Sequence, residues 1–222
     1  FEKSAINERN IMNVVIAIDS FKGSLSSLEA GESAANGIKK VYPDATTVIR
    51  PLADGGEGTV DALVAGCGGK MTTVSVTGPL GETVSCQYGI VSATKTAIIE
   101  MAVAAGITLV PPQKRNPLHT TTYGVGEIIA DAVKRGCRHF LIGIGGSATN
   151  DGGIGMLQAL GFGMLDESGN QVEFGAKGLQ LARCCQSFQN VHSVLPAMSQ
   201  IHFAALLAAV LFLDRKRELT LK

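Results

Sequence analysis

One arrangement occurs three times in this chain: a short apolar run, then a loop carrying glycine, hydroxyl and acid, then a helical stretch. The first copy is NVVIAI at 13–18, DSFKGS at 19–24 and a helix over 25–40, with Leu28, Ala35 and Ile38 at helical spacing and Ser24 or Ser27 as its cap. The second is TTVIRP at 46–51, LADGGEGT at 52–59 and a helix over 60–65 stopped by Gly66. The third is HFLIGI at 139–144, GGSATNDGG at 145–153 and a helix over 154–160 closed by Gly161. A continuous Val/Ile run suits a strand buried on both faces of a parallel sheet, and its repetition before helices predicts an α/β fold.

Residues 71–100 follow a different period. Alternating segments at 72–77, 83–90 and 95–100, separated by Gly78-Pro79-Leu80-Gly81 and polar turns, predict a β-meander. A connector with three prolines, VPPQKRNP at 110–117, leads back to a helix over 124–135. The predicted organisation is an α/β phosphate-binding lobe from 12–70 and 118–190, with a parallel sheet of Rossmann or flavodoxin-like type. A second, smaller α/β lobe at 71–117 contains the meander. Residues 191–222 fall outside the pattern and read as a terminal or amphipathic helix, and Met12 reads as a natural start.

Composition narrows the function. Lys and Arg number 19 against 19 Asp and Glu, so no basic field draws the chain to nucleic acid. The longest apolar run, 203–213, has 11 residues, against the ~20 a membrane helix needs. Five cysteines with no C-x-x-C pair read as reduced thiols, which predicts a cytoplasmic protein. Glycine, at 27 residues, exceeds the usual ~7% without any collagen period, so its cause is local.

That cause is the three loops. In an open α/β sheet ligands bind beyond the carboxyl ends of the strands, where the following loops converge. Glycines let backbone N–H groups approach phosphate oxygens, hydroxyls add donors, lysine offsets charge, and carboxylates hold Mg²⁺ or orient an attacking hydroxyl. Turn chemistry alone also explains a Gly-Gly-Ser loop, and Asp19 or Asp54 could be a cap. Three equivalent loops favour phosphate. There is no G-x-x-x-x-G-K-[S/T], no G-x-G-x-x-G after the first strand, no G-x-S-x-G, and His119, His139, His192 and His202 are not paired with cysteines as zinc ligands would be.

The stretches AIDSFKGS at 17–24, ADGGEGT at 53–59 and GIGGSATNDGG at 143–153, with VTGPLG at 76–81, IEMA at 99–102 and TYGVGE at 122–127, resemble the bacterial glycerate kinase family that is not built on a P-loop. The resemblance runs from about Met12 to Asn190. It implies transfer of the γ-phosphoryl group of ATP, with Mg²⁺, to D-glycerate, giving 2-phosphoglycerate in two α/β lobes. On these positions it implies Asp19, Lys22 and Asp151 as catalytic residues, and Asp54 and Asp151 as metal ligands. Gly23, Ser24, Gly55, Gly56, Gly145, Gly146, Ser147, Thr149 and Asn150 would hold the nucleotide phosphates, with Glu57, Glu100 and Glu127 as weaker candidates. Family members are considerably longer, so the chain also reads as a truncated member whose last 32 residues diverge, as a frameshift or a gene-model error would make them. The alternative is a non-catalytic remnant that binds nucleotide or a protein partner.

Overall fold

A computed structural model describes residues 12–21, 24–52 and 55–187, with backbone alone for 184–187. The chain forms two compact units that divide after Ala53.

The first unit holds β1 (Asn13–Ile18), α1 (Ser27–Val41) and β2 (Thr46–Pro51). The strands pair in parallel from Asn13 opposite Thr46 to Ile18 opposite Pro51, with α1 as the crossover. The helix starts at neither predicted serine. Ser26 caps it: its Oγ accepts the Glu29 N–H at 3.2 Å, while its own N–H donates to Glu29 Oε2 at 2.9 Å. Of the nearby serines only Ser26 has a glutamate three residues on, which is what a capping box requires. The buried stripe of α1 is Ser27, Ala30, Gly31 and Ala35, while Leu28 is exposed. Small residues line it because a Cβ on Gly31 would lie 2.5 Å from Ile49 Cγ2 on β2. Nor is β1 covered on both faces: Ile16 is buried but Val15 is 66% exposed. An unbroken apolar run fixes strand propensity and leaves open how many faces find a neighbour.

The second unit is built on one mixed sheet. Its strands are β3 (Lys70–Thr77), β4 (Thr83–Val91), β5 (Thr96–Glu100) and β6 (His139–Gly143), ordered β3-β4-β5-β6. The first two pairings are antiparallel, as the meander predicts; β5 and β6 are parallel, with Thr96 opposite His139 and Glu100 opposite Gly143. The expected separate lobe at 71–117 is therefore not where the described chain divides. Strand β5 gives one edge to the meander and the other to β6, so both predicted lobes share a sheet. Alternation within a segment identifies a strand but not its second neighbour.

The crossover from β5 to β6 passes through α3 (Ala102–Ala105) and α4 (Tyr123–Lys134). Helix α4 buries Val125, Ile128, Ile129, Ala132 and Val133 among Val76, Tyr88, Ala97, Ile99 and Phe140, forming the main core. Helix α2 (Thr59–Cys67) packs Val60 and Val64 on Val91 and Ile98, and ends at a left-handed Gly68 rather than at Gly66. Beyond β6 come α5 (Ile154–Ala159), β7 (Phe162–Leu165), α6 (Gly175–Leu181) and β8 (Cys184–Ser187). The last two strands pair antiparallel over a small core of Ile154, Leu157, Met164, Val172 and Ala182. The tail at 191–222 lies outside the described residues.

Candidate active site

Two of the three glycine loops meet within the second unit. The Gly145 N–H donates to the Gly55 carbonyl at 3.1 Å, tying the loop after β6 to the loop before α2. Neither backbone leaves room for a side chain. A Cβ on Gly143 would lie 2.5 Å from the Gly55 oxygen, and one on Gly145 would lie 2.8 Å from Gly56 Cα. The loop after β6 is pinned on its other side to the end of α3, where Ile107 N–H donates to Gly146 O and Ala148 N–H to Ala105 O, both at 2.8 Å. Gly146 takes φ +72°, a left-handed turn that glycine alone adopts cheaply. Among the described residues the N–H groups of Gly146, Ser147 and Asn150 donate to no protein acceptor. Backbone donors left open along such a turn form an anion nest. Ser147 Oγ lies 2.9 Å from Thr149 Oγ1 and accepts the Thr149 N–H at 3.1 Å, so both hydroxyls are held beside those donors.

Asp151, which the resemblance offers as a catalytic residue and metal ligand, is held by protein donors. It is 1% exposed and accepts four hydrogen bonds. Its Oδ2 takes the Thr122 N–H and hydroxyl, both at 2.9 Å, and the Gly155 N–H at 3.3 Å; its Oδ1 takes the Gly153 N–H at 3.0 Å. The Thr122 hydroxyl in turn accepts the Met156 N–H at 3.0 Å. This carboxylate therefore fastens the start of α5 to the start of α4. A side chain on Gly155 would collide with the Thr121 hydroxyl, so the network needs glycine there.

The threonines in this network were missed in the sequence, although Thr122 opens the TYGVGE stretch. Thr120, Thr121 and Thr122 are all buried, and Thr120 donates to Ala148 O at 2.8 Å. Three threonines directly before a helix with no other cap were the available signal.

Glu100, at the carboxyl end of β5, is also buried and structural. Its Oε1 accepts the Val60 N–H at 2.8 Å, capping α2, whose own N-cap, Gly58, has no side chain to do so. Burial raises its carboxyl above the ordinary value; the Val60 and Thr59 N–H bonds pull the other way, and nearby Asp61 and Glu57 add to the rise. Glu127 on α4 accepts the Thr77 N–H at 2.6 Å and so holds the end of β3. Glu57 is exposed.

Two cavities flank the Gly146-Ser147 turn. One, of about 270 Å³, has an apolar wall of Met101, Val125, Ile142, Ile144 and Met156, and a polar rim that includes Ser147, Thr149 and Asn150. The other, of about 560 Å³, is reached by Gly146, Glu57, Glu100, Ser85, Gln87 and Thr108. Among the described residues, two carboxylates and no cation line the second.

Of the remaining predicted residues, Asp19 and Ser24 belong to the first unit. Asp19 is half-buried just past β1 and accepts the Ser20 N–H at 2.7 Å; Ser24 is exposed and its N–H donates to Phe21 O at 2.8 Å. Lys22, Gly23 and Asp54 lie outside the described residues.

A mixed β-sheet with helices packed on it, and glycine loops before α2 and after β6, define an α/β protein. The family is settled by comparison: the model of the glycerate kinase family matches residues 14–208, and the chain belongs to that family. The match continues past Asn190, where the sequence reading had ended it. A glycerate kinase from Haemophilus influenzae is 51% identical over 191 residues, covering 86% of this chain and 50% of that protein. A glycerate 2-kinase from Escherichia coli is 51% identical over 168 residues, covering 76% of this chain and 44% of its own length. A solved structure from Salmonella typhimurium LT2, assigned to glycerate kinase 2, superposes with a TM-score of 0.73 at 48% identity, covering 79% of this chain and 47% of that one. The chain thus spans about half the length of the relatives it matches.

Proposed function

We propose that the protein phosphorylates glycerate, transferring the γ-phosphoryl group of ATP to D-glycerate to give 2-phosphoglycerate. The observation that carries this reading is the turn at Gly146 and Ser147, whose open N–H groups stand beside two hydroxyls and against an apolar cavity. Backbone and hydroxyl donors of this kind suit phosphate oxygens, and the Met101, Ile142 and Met156 wall suits the nucleoside end. The relatives, being named glycerate kinases, supply the acceptor.

In the transfer, the glycerate hydroxyl oxygen bonds to the γ-phosphorus as the bond to the β,γ-bridging oxygen breaks, and ADP leaves. Gly146, Ser147 and Asn150 N–H groups hold phosphate oxygens, and the Ser147 and Thr149 hydroxyls donate further bonds. Asp151 and Thr122 position that loop. Asp19, as acceptor of the hydroxyl proton, and Lys22, as counter-charge, enter through the DSFKG match alone. Of the two acids that the resemblance offers to Mg²⁺, Asp54 lies outside the described residues and Asp151 already accepts four protein hydrogen bonds. No step is therefore routed through the ion.

The test is a ³¹P NMR assay of the chain with ATP, Mg²⁺ and D-glycerate, which tells 2- from 3-phosphoglycerate directly. Formation of 2-phosphoglycerate, lost in Lys22→Ala, is expected. ATP binding that is indifferent to Ser147→Ala and Thr149→Val together would remove the loop from the site.

A further inference from the structure

The opposite edge of the second unit's sheet carries a cavity that the phosphoryl-transfer reading does not use. It measures about 330 Å³ and is lined by Lys95, Arg135 and Arg138, together with Ile90, Ser92, Gly136 and Cys137. These residues lie where β4 ends and where β5 and β6 begin, whereas Glu100 and the glycine loop mark the far ends of β5 and β6. Four residue steps of strand separate Thr96 from Glu100, about 13 Å at the usual strand rise.

Of the three cations only Arg135 meets a protein acid among the described residues, and it does so through one nitrogen. Lys95 sits at φ +52°, an uncommon conformation for a side-chain-bearing residue, and its carbonyl is fixed by the Arg138 and His139 N–H groups at 2.8 and 3.1 Å. Its ammonium has no acidic partner among the described residues. Arg135 spends only Nε, on Asp131 at 2.7 Å. Arg138 spends Nη1 on the Val133 and Cys137 carbonyls, at 3.1 and 2.7 Å. The Arg135 Nη groups and the Arg138 Nε and Nη2 groups remain as donors, and the two hydrogen-bonded guanidinium groups are already ordered. Asp131, the carboxylate beside them, is shared by Arg135 and the Tyr88 hydroxyl, and so is neutralised locally.

We propose that this cavity binds a small phosphate-bearing anion at a site separate from the glycine loops. Two hydrogen-bonded guanidinium groups and an ammonium lining a space of this size suit a phosphate group, which accepts several charge-assisted bonds at once. The terminal carbonyls of α4 also face this edge, and Arg138 neutralises them, leaving the cavity with net positive character.

Calorimetric titration of the chain with inorganic phosphate, at low and at moderate salt, tests the site against Lys95→Gln and Lys95→Arg, with Ser147→Ala as the control for the glycine loop. Lys95→Gln should weaken one phosphate equivalent about ten-fold, the usual worth of a charge-assisted bond. Lys95→Arg should restore it, and Ser147→Ala should leave it untouched. The idea is overturned if a folded Lys95→Gln protein binds phosphate like the parent. It is overturned equally if Ser147→Ala removes all phosphate binding, a result that would leave the proposed kinase reading standing.

Discussion

Replacing Thr122 by valine isolates what holds the glycine loop in place. Valine has nearly the shape of threonine, so the change opens no cavity and subtracts one hydroxyl. That hydroxyl donates to Asp151 Oδ2 at 2.9 Å and accepts the Met156 N–H at 3.0 Å, both in buried surroundings. A bond to a charged group contributes about 1.5–3 kcal/mol, and a buried N–H left without an acceptor costs about 1–3 kcal/mol, so the loss should be at least about 2.5 kcal/mol. For a unit of this size that minimum corresponds to a fall in Tm of roughly 5–10 °C. Thr122→Ser is the control: it keeps the hydroxyl and gives up one buried methyl, about 1 kcal/mol. Urea unfolding and calorimetry on the two variants, with nucleotide affinity measured beside them, form the assay. If valine costs no more than serine, the Thr122–Asp151 pair does not anchor the loop and Asp151 is free for another role.

Gly143→Ala should expel the Gly55 loop, because the new methyl has 2.5 Å to a backbone oxygen that cannot swing away; nucleotide affinity should fall at least ten-fold, and unchanged affinity would show that the two loops need not touch. Because burial raises the Glu100 carboxyl, the folded chain holds that proton more tightly than the unfolded chain, so stability should decline as pH rises from the ordinary value of 4.5 through the raised one. Glu100→Gln should remove that slope, and chemical unfolding at several pH values would expose an error if both proteins fell in parallel. Burial pushes the Cys86 thiol up to about 11 and raises Cys137 as well, whereas Cys67 is exposed; peptide mapping after brief maleimide treatment at neutral pH should find Cys67 modified well before either, and early labelling of Cys86 would contradict its packing.

Local elements were legible where one physical cause determined them. The strands at 13–18 and 46–51 match the prediction residue for residue, because a bounded β-branched run has few other uses. Helix starts were less legible: the rule that picks Ser26 depends on Glu29, and the cap of α2 comes from Glu100, forty residues away. No local pattern announces a tertiary cap. For the same reason the motif reading did not find the hydrogen bonds that tie Asp151 to Thr122 and Gly155. Asp-Gly-Gly after a strand looks the same whether its carboxylate faces a ligand or four backbone and side-chain donors. The pair β7 and β8 escaped because each strand is four residues long, too short for its alternation to show.

The contact between Gly143 and Gly55 has a consequence for anyone wishing to alter what the protein accepts. Where two main chains meet with no gap, neither can be retuned by trading one side chain for another, since any side chain at all pries them apart. Changes in ligand preference would have to come from Ser147, Thr149 and Asn150, and from the apolar wall at Met101, Ile142 and Met156, while the paired glycines are kept or lost as a unit.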